Sequence, residues 1–206
     1  MNQICVVTSK AATYYAIVSR MKKAGLPFSS VLPSADRGDC ILIVTSAEEM
    51  GQFDGLTFAL EDLDENPGVF KGQLLSRLNE GSDVVLIGVD PGRRIGLAVF
   101  YGETSLEYST FGSAARLSLR VGAFVRGIPA KRFVIRIGNG NFAVAAKLIE
   151  SLRLEAPDAV IEIVDESGTS VRRVRARGIQ GDQGAAAKIA FRKGEVVSPR
   201  NPRIRT

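Results

Sequence analysis

The chain has 206 residues, which at roughly 150 residues per domain predicts one or two domains. Hydrophobic residues make up 45% and charged residues 24%, as in ordinary globular proteins, and no apolar run is long enough to span a bilayer. The start of the chain lacks a basic, cleavable signal layout. We therefore expect a cytoplasmic protein without a membrane partner.

Histidine is absent from the chain, which excludes catalytic triads, Cys-His pairs and histidine-ligated zinc sites. The two cysteines, Cys5 and Cys40, are too few for a four-cysteine zinc site, and each lies in or beside an apolar run. We expect both to be buried reduced thiols rather than a redox pair. Any chemistry must then rest on carboxylates, hydroxyls, Lys and Arg, or a metal held by oxygen.

The net charge of +5 is divided unevenly along the chain. Residues 1–82 carry 7 Lys and Arg against 10 Asp and Glu, giving −3, whereas residues 83–206 carry 20 against 12, giving +8. A basic second half indicates a polyanionic partner.

The first segment, residues 1–82, alternates strand-like and helix-like stretches, which favours a parallel sheet in a small α/β domain. The predicted elements are a strand at 4–8, a helix at 11–24, strands at 30–32 and 40–45, and a helix at 70–78. Nothing here matches a phosphate-binding glycine fingerprint. We assign this segment no chemistry.

The second segment, residues 83–195, begins after the polar stretch 79–83 and precedes a basic tail at 196–206. Three strands with short turns come first, at 84–89, 95–101 and 106–110, and predict an antiparallel meander. Next come a helix at 113–126 with Ser113 as N-cap, a strand at 133–137, a helix at 141–154, a strand at 160–164 and a helix at 182–193. A meander followed by parallel strands is the element order of the ribonuclease H-like fold.

Four motifs in this segment resemble, in family order, the RuvC/YqgF branch of ribonuclease H-like proteins. They are DPGRRIGLAV at 90–99, RIGNGN at 136–141, IVDESGTS at 163–170 and DQGAAAKIA at 182–190. The second and third are closest to the YqgF-like domain of Tex-type transcription accessory proteins. The chain departs from RuvC resolvases in having no acid between Glu107 and Glu150, and from the YqgF pattern in having Ser167 in place of an arginine.

The resemblance implies catalytic roles for Asp90, Glu166 and Asp182. Adjacent residues of a strand face opposite sides, so only one of Asp165 and Glu166 can face Asp90, and the family pattern favours Glu166. With Asp165 as a further candidate ligand, these acids would hold Mg²⁺ or Mn²⁺ through hard oxygen donors. Two such ions about 4 Å apart would activate water and stabilise the leaving oxygen of a phosphodiester.

Each motif also has a simpler structural explanation. Asp90 could be a turn former, and Asp182 an ordinary helix N-cap. The glycine-rich turn at 138–140 could be a strand-to-helix connection or a phosphate-contacting loop. All of these alternatives stay open at the level of sequence.

Arginines near the acids indicate a nucleic-acid partner, DNA or RNA, because their planar guanidinium groups match phosphate geometry. A solvated strand or loop edge is the alternative explanation. Aromatic residues are not interleaved with these arginines, so backbone and shape recognition is favoured over base stacking. The candidate binding residues are Arg93, Arg94, Arg172, Arg173, Arg175 and Arg177.

The leading hypothesis is a metal-dependent endonuclease acting on structured nucleic acid, such as branched DNA or a precursor RNA. The alternative is a catalytically inactive ribonuclease H-like module that binds nucleic acid, because fold does not guarantee activity. A sugar-kinase or actin-like ATPase is disfavoured, since residues 83–206 leave no room for the duplicated fold. The sequence leaves homodimer formation open.

Overall fold

The computed structural model describes residues 3–78, 83–166 and 181–197. The chain forms two compact units, residues 1–80 (unit 1) and residues 81–206 (unit 2). None of the helices in the described ranges is long and apolar enough to cross a membrane.

Unit 1 is an α/β unit with a four-stranded sheet in the order β2-β1-β3-β4. All three strand pairings are parallel, as predicted. The fourth strand and two short 3₁₀ turns, Met50–Gln52 and Leu60–Asp62, were not predicted. The elements are β1 Ile4–Val7, α1 Ala11–Lys23, β2 Ser29–Val31, β3 Leu42–Thr45, β4 Leu56–Ala59 and α2 Pro67–Leu78.

The core of unit 1 forms between one face of this sheet and the two helices. Alternate residues of β1 and β3 point to that face, and α1 and α2 bury their apolar sides against it. The fully or almost fully buried members are Ile4, Val6, Leu42, Val44, Ile17, Met21, Phe70 and Leu74.

A buried carboxylate, Glu49, follows β3 at the carboxyl end of the unit 1 sheet. Burial would raise its pKa, but hydrogen bonds donated by Ser9, Thr8 and Ser46 outweigh it and lower the pKa to about 2. The Ser9 amide and the Ser46 hydroxyl lie 2.8 and 3.0 Å from the carboxylate oxygens. Glu49 is thus an ionised structural group that ties the loop after β1 to the loop after β3.

The structure joins Cys5 and Cys40 in a disulfide, so the prediction of two reduced thiols is wrong. Cys5 lies in β1, and Cys40 lies just before β3, which pairs with β1. This pairing brings two Cα atoms that are 35 residues apart in sequence to 5.8 Å, a separation typical of disulfides. Disulfides are rare in cytosolic proteins outside hyperthermophiles, and a cytoplasmic location stays a prediction.

Reduction of this disulfide should destabilise unit 1. A cross-link between residues 35 apart restricts the unfolded chain, and its loss should cost about 2–4 kcal/mol. Hydrogen exchange of the β1 and β3 amides, with and without dithiothreitol, measures this. The Cys5→Ala/Cys40→Ala double variant should not respond to the reductant. Equal protection of the wild type in both conditions would contradict the prediction.

The described residues of unit 2 form nine elements, and seven of them match the predicted elements closely. The helix at the end is shorter than expected, ending at Ala190, and a short strand after it was not predicted. Ser113 and Asn141 cap their helices by accepting hydrogen bonds from the amides of Arg116 and Val144. The elements are β5 Val84–Pro91, β6 Ile95–Tyr101, β7 Thr104–Phe111, α3 Ala114–Gly127, β8 Arg132–Gly138, α4 Phe142–Glu155, β9 Val160–Val164, α5 Asp182–Ala190 and β10 Glu195–Val196.

The unit 2 sheet has the order β10-β9-β8-β5-β6-β7. The first three strands in sequence, β5 to β7, form an antiparallel meander, and β8 and β9 add in parallel beside β5. The short β10 pairs antiparallel with β9. Unit 2 therefore has the mixed sheet of the ribonuclease H-like fold, which confirms the predicted fold class.

Helix α5 lies on one face of the sheet through small residues. Ala186, Ala187 and Ala190 pack with Ala98 and Phe100 of β6. The helix comes so close that a Cβ at Gly88 would lie 1.9 Å from the carbonyl oxygen of Ala186. Side chains on the opposite face of β5, β6 and β8, and on the paired helices α3 and α4, are fully buried, among them Ile87, Leu97, Ile135, Leu117, Val121, Leu148 and Leu152.

Candidate nuclease site

Asp90 lies near the end of β5, the strand between the antiparallel and the parallel parts of the sheet. It pairs with Gly96 of β6 and is half-buried. Asp90 lies two residues after Gly88, and alternation along the strand therefore directs its side chain to the face covered by α5. Asp90 is thus a strand residue on the α5 face of the sheet and not only a turn former.

Glu166 follows β9 and reaches across the end of the neighbouring strand β8. Its Oε1 accepts a hydrogen bond of 3.1 Å from the amide of Gly140. A Cβ at Gly138 would lie 2.0 Å from the same oxygen, so the absent side chain of Gly138 makes room for this carboxylate. Since β8 pairs directly with β5, Glu166 comes to the edge where Asp90 lies.

Asp182 is the first residue of α5, and Gly181 occupies the N-cap position with φ of 67°. The N-cap explanation considered for Asp182 therefore does not describe its place in this helix. A Cβ at Gly96 would lie 2.1 Å from the Asp182 carbonyl oxygen, so the start of α5 lies directly on β6. Gly96 is the strand partner of Asp90, and this contact brings Asp182 beside Asp90.

The three acids interact electrostatically at this edge. The pKa of Asp90 is raised to about 6, first by burial and then by the negative charges of Glu166 and Asp182. The structure therefore brings Asp90, Glu166 and Asp182 to one end of the sheet.

Asp165 faces away from this group. Its backbone oxygen accepts a hydrogen bond from Arg192, and its carboxylate oxygen accepts one of 3.1 Å from the side-chain Nδ2 of Asn139. The charges that raise the pKa of Asp90 are those of Glu166 and Asp182. Of the two adjacent acids, Glu166 is therefore the one that faces Asp90, and a metal-ligand role for Asp165 stays a prediction.

The donor set suits a hard divalent cation, because carboxylate oxygens are the ligands that Mg²⁺ and Mn²⁺ prefer. The arrangement does not suit one: in the described ranges, no group of three or more Asp, Glu or Cys side chains is placed so that it could hold a metal ion. Glu166 is occupied by the Gly140 amide. The three acids are residue types that bind divalent metal ions, but their positions in the structure are not those of a metal site.

A buried ion pair fixes the other end of α5 to the sheet. The Arg136 Nε lies 2.8 Å from Glu162 Oε2, and another guanidinium nitrogen donates to the Ala190 carbonyl at 2.7 Å. The Gly194 amide also donates to Glu162. Arg136 and Glu162 are neighbours in the paired strands β8 and β9, so this network holds the C-terminal end of α5 against the sheet. The absent side chain of Gly96 lets the other end of α5 approach β6.

The candidate nucleic-acid residues are only partly described. Arg93 and Arg94 follow Asp90 on the surface, and Arg94 donates a 3.1 Å hydrogen bond to the Thr110 hydroxyl. The remaining four candidates, Arg172, Arg173, Arg175 and Arg177, lie outside the described residues. The structure thus places two exposed arginines beside the first acid.

Sequence reasoning missed Asn139 and Gly140 as partners of the acids. Besides binding Asp165, the Asn139 side chain accepts a 3.1 Å hydrogen bond from the Glu166 amide. The available signal was the position of both residues at the carboxyl end of a strand parallel to the one carrying Asp90. Neighbouring parallel strands end at the same sheet edge, so polar groups there meet.

Unit 2 is an α/β unit of the ribonuclease H-like fold class, with a carboxylate cluster at the end of its central strand. No protein-family model matches the chain, and the comparison with curated proteins gives no match. Among solved structures, the chain is similar to Marinitoga piezophila Argonaute in complex with 5′ OH guide RNA, at 11% identity and a TM-score of 0.30. It is also similar to the complex of that Argonaute with guide RNA and target DNA, at 10% identity and a TM-score of 0.29.

These matches cover 82% and 83% of this chain but 41% of each Argonaute chain. The chain thus spans less than half the length of these structures. The fold assignment comes from the strand order and pairing within unit 2, and these matches add no functional argument.

Proposed function

We propose that unit 2 is a metal-dependent nuclease that hydrolyses phosphodiester bonds in structured nucleic acid, such as branched DNA or a precursor RNA. The observation that carries this proposal is the meeting of Asp90, Glu166 and Asp182 at the end of the central strand of a ribonuclease H-like sheet. The chain has no histidine, so acidic oxygens are its natural ligands for Mg²⁺ or Mn²⁺.

The charge distribution supports a nucleic-acid substrate. Residues 83–206 carry 20 Lys and Arg against 12 Asp and Glu, and Arg93 and Arg94 are exposed next to Asp90. Cationic side chains would hold the phosphate backbone close to the acids, where a bound cation would offset their negative charge. In this proposal the arginines would bind the substrate and the acids would supply the oxygen ligands of the cation.

The alternative is a catalytically inactive module that binds nucleic acid. One observation favours it: no group of acids in the described part of the chain is placed to hold a metal ion. Strand β8 also carries no acid, whereas RuvC resolvases place a glutamate on this strand. Such a module would show salt-dependent binding to nucleic acid without cleavage.

Cleavage assays on the full chain separate these two functions. Labelled four-way DNA junctions, duplex DNA, single strands and hairpin RNA are incubated with Mg²⁺, Mn²⁺ or EDTA. We expect metal-dependent cleavage of a structured substrate, lost in Asp182→Asn and retained in Asp158→Asn, a matched change at an exposed acid of unit 2. Cleavage of none of these substrates, or equal cleavage by Asp182→Asn, would overturn the nuclease proposal.

A further inference from the structure

The Cys5–Cys40 disulfide lies on the face of the unit 1 sheet that is turned away from the two helices. Cys5 stands between Ile4 and Val6 in β1, and the side chains of those two residues pack with α1 and α2. Alternation along the strand therefore directs the Cys5 side chain to the opposite face. There Cys5 belongs to a separate apolar cluster, against which Cys40 packs. The disulfide thus joins the chain between β2 and β3 to this second face.

A cavity of about 410 Å³ opens beside the disulfide, and both cysteines line it. Its volume falls within the range of roughly 300–1,000 Å³ that is typical of small-molecule sites. The turn between β2 and β3 supplies its charged groups, which are Asp36, Arg37 and Asp39. Cys5 is only 1% exposed, whereas Cys40 is partly exposed. Cys40 is therefore the more accessible partner for a small molecule in the cavity.

The turn holds the Arg37 guanidinium in a defined place. The Gly38 amide donates a 3.1 Å hydrogen bond to Asp36 Oδ1, and the Cys40 amide donates one of 3.1 Å to the Arg37 carbonyl. The guanidinium carbon of Arg37 lies 5.1 Å from the centre of the Phe53 ring, within reach of a cation–π interaction. Among the described residues, no acid forms an ion pair with Arg37. Its charge is thus available to a carboxylate that enters the cavity.

We propose that this cavity binds a small thiol carrying carboxylate and ammonium groups, and that this thiol exchanges with the disulfide to leave a mixed disulfide on Cys40. Arg37 would bind a carboxylate of the thiol compound, and Asp36 and Asp39 would bind its ammonium group. A cavity of this size admits a small molecule, whereas a thiol on a folded protein could not enter it. The modification site lies in unit 1 and is independent of the function proposed for unit 2.

The exchange reaction balances without a further oxidant or reductant. The thiolate sulfur of the small molecule attacks the Cys40 sulfur, and a new S–S bond forms as the bond between Cys40 and Cys5 breaks. The electron pair of the broken bond stays on the Cys5 sulfur, which takes up the proton that the small thiol has released. Attack by the Cys5 thiol on the mixed disulfide reverses the reaction. The extent of modification therefore follows the concentration of the small thiol.

Peptide mapping by mass spectrometry after incubation of the full chain with reduced glutathione shows which sulfur is modified. Samples are stopped at short intervals, and free thiols are blocked with N-ethylmaleimide in denaturant. We expect the first product to carry glutathione on Cys40 and maleimide on Cys5. Three results would overturn the proposal: glutathione found on Cys5, equal amounts on both cysteines, or two free cysteines before any thiol is added.

Exchange rates with two thiols show whether the cavity recognises the charges of the small molecule. Glutathione carries carboxylates and an ammonium group, and mercaptoethanol carries neither, so the ratio of their rates cancels any general change in exposure of the disulfide. We expect Arg37→Gln to lower this ratio about tenfold, through loss of a charge-assisted contact. The control Arg77→Gln removes another arginine of unit 1 that lies over an aromatic ring, that of Phe58, and should leave the ratio unchanged. An equal ratio in the wild type and Arg37→Gln would show that the proposal is wrong.

Discussion

Asp90→Asn should abolish metal-dependent cleavage and, at the same time, make unit 2 more stable at neutral pH. Under the proposed function Asp90 is one of three cation ligands, and its loss should lower the cleavage rate by about a thousandfold or more. Stability should rise because burial and the charges of Glu166 and Asp182 disfavour the ionised form of Asp90. Allowing for screening by solvent, the gain should be about 1–2 kcal/mol at pH 7.

The stability gain should depend on pH in a defined direction. The pKa of Asp90 is raised to about 6 in the folded protein, above the value of about 4 for an unfolded aspartate. Below about pH 4 Asp90 is protonated in both the folded and the unfolded protein, so it does not lower the free energy of unfolding. As pH rises from about 4 to 6 the unfolded state ionises first, so the wild type loses stability relative to Asp90→Asn.

Urea unfolding of both proteins at pH 4, 5, 6 and 7.5 measures this difference. The gap in unfolding free energy should be near zero at pH 4, grow between pH 4 and 6, and stay constant above. The control Asp158→Asn removes an exposed carboxylate of the same unit and should show no such growth. A gap that does not change with pH, or an Asp90→Asn variant that is less stable at pH 7.5, would contradict the clustering of the three acids.

Gain of stability together with loss of activity would distinguish a functional cluster from a structural one. An ion pair such as Arg136 with Glu162 stabilises the position of α5, and removal of either partner leaves a buried charge unpaired. Asp90 has the opposite character, since the charges of Glu166 and Asp182 repel its own. Under the proposed function a bound cation would compensate this repulsion.

The sequence predicts the strands of unit 2 well because each is a continuous apolar run with clear ends. Residues 95–101 and 160–164 agree with β6 and β9 to the residue, and Asn141 caps the helix at its predicted start. Two short edge strands, β4 with four residues and β10 with two, are missed, whereas the three-residue edge strand β2 is predicted at 30–32. The last helix is overestimated because its composition stays helical beyond Ala190.

Features that depend on contacts between distant residues are not visible in the sequence. The Cys5–Cys40 disulfide arises from the parallel pairing of β1 with β3, and the sequence alone gives no distance between them. The choice of Glu166 over Asp165 rests on a family pattern at the level of sequence. In the structure it follows from Asn139, which binds the Asp165 carboxylate on one side and the Glu166 amide on the other.

The role of Gly96 depends on a contact that the sequence does not show. Gly96 lies six residues after Asp90, in the first motif at 90–99. The structure places Gly96 inside β6, paired with Asp90 and Thr110 on the two neighbouring strands. A side chain is excluded there because the backbone of Asp182 lies 2.1 Å from the position that a Cβ would take.

Gly96→Ala should therefore separate α5 from the sheet and dismantle the site. The new methyl group would overlap the carbonyl oxygen and carbon of Asp182, which cannot rotate away as a side chain can. The start of α5 must move, at an expected cost of about 3 kcal/mol or more. Asp182 would leave Asp90, so cleavage and binding of Mn²⁺ should be lost together.

Hydrogen exchange of the α5 amides measures this effect in the full chain, because it reports the stability of that helix even when the rest stays folded. Protection should fall strongly in Gly96→Ala and remain unchanged in Gly112→Ala, where a methyl group meets open space. Gly138→Ala should lie between them, since its methyl group meets only side-chain ends. If the α5 amides exchange as slowly in Gly96→Ala as in Gly112→Ala, the close approach of Asp182 to β6 is wrong. The geometry that joins Asp182 to Asp90 is then wrong as well.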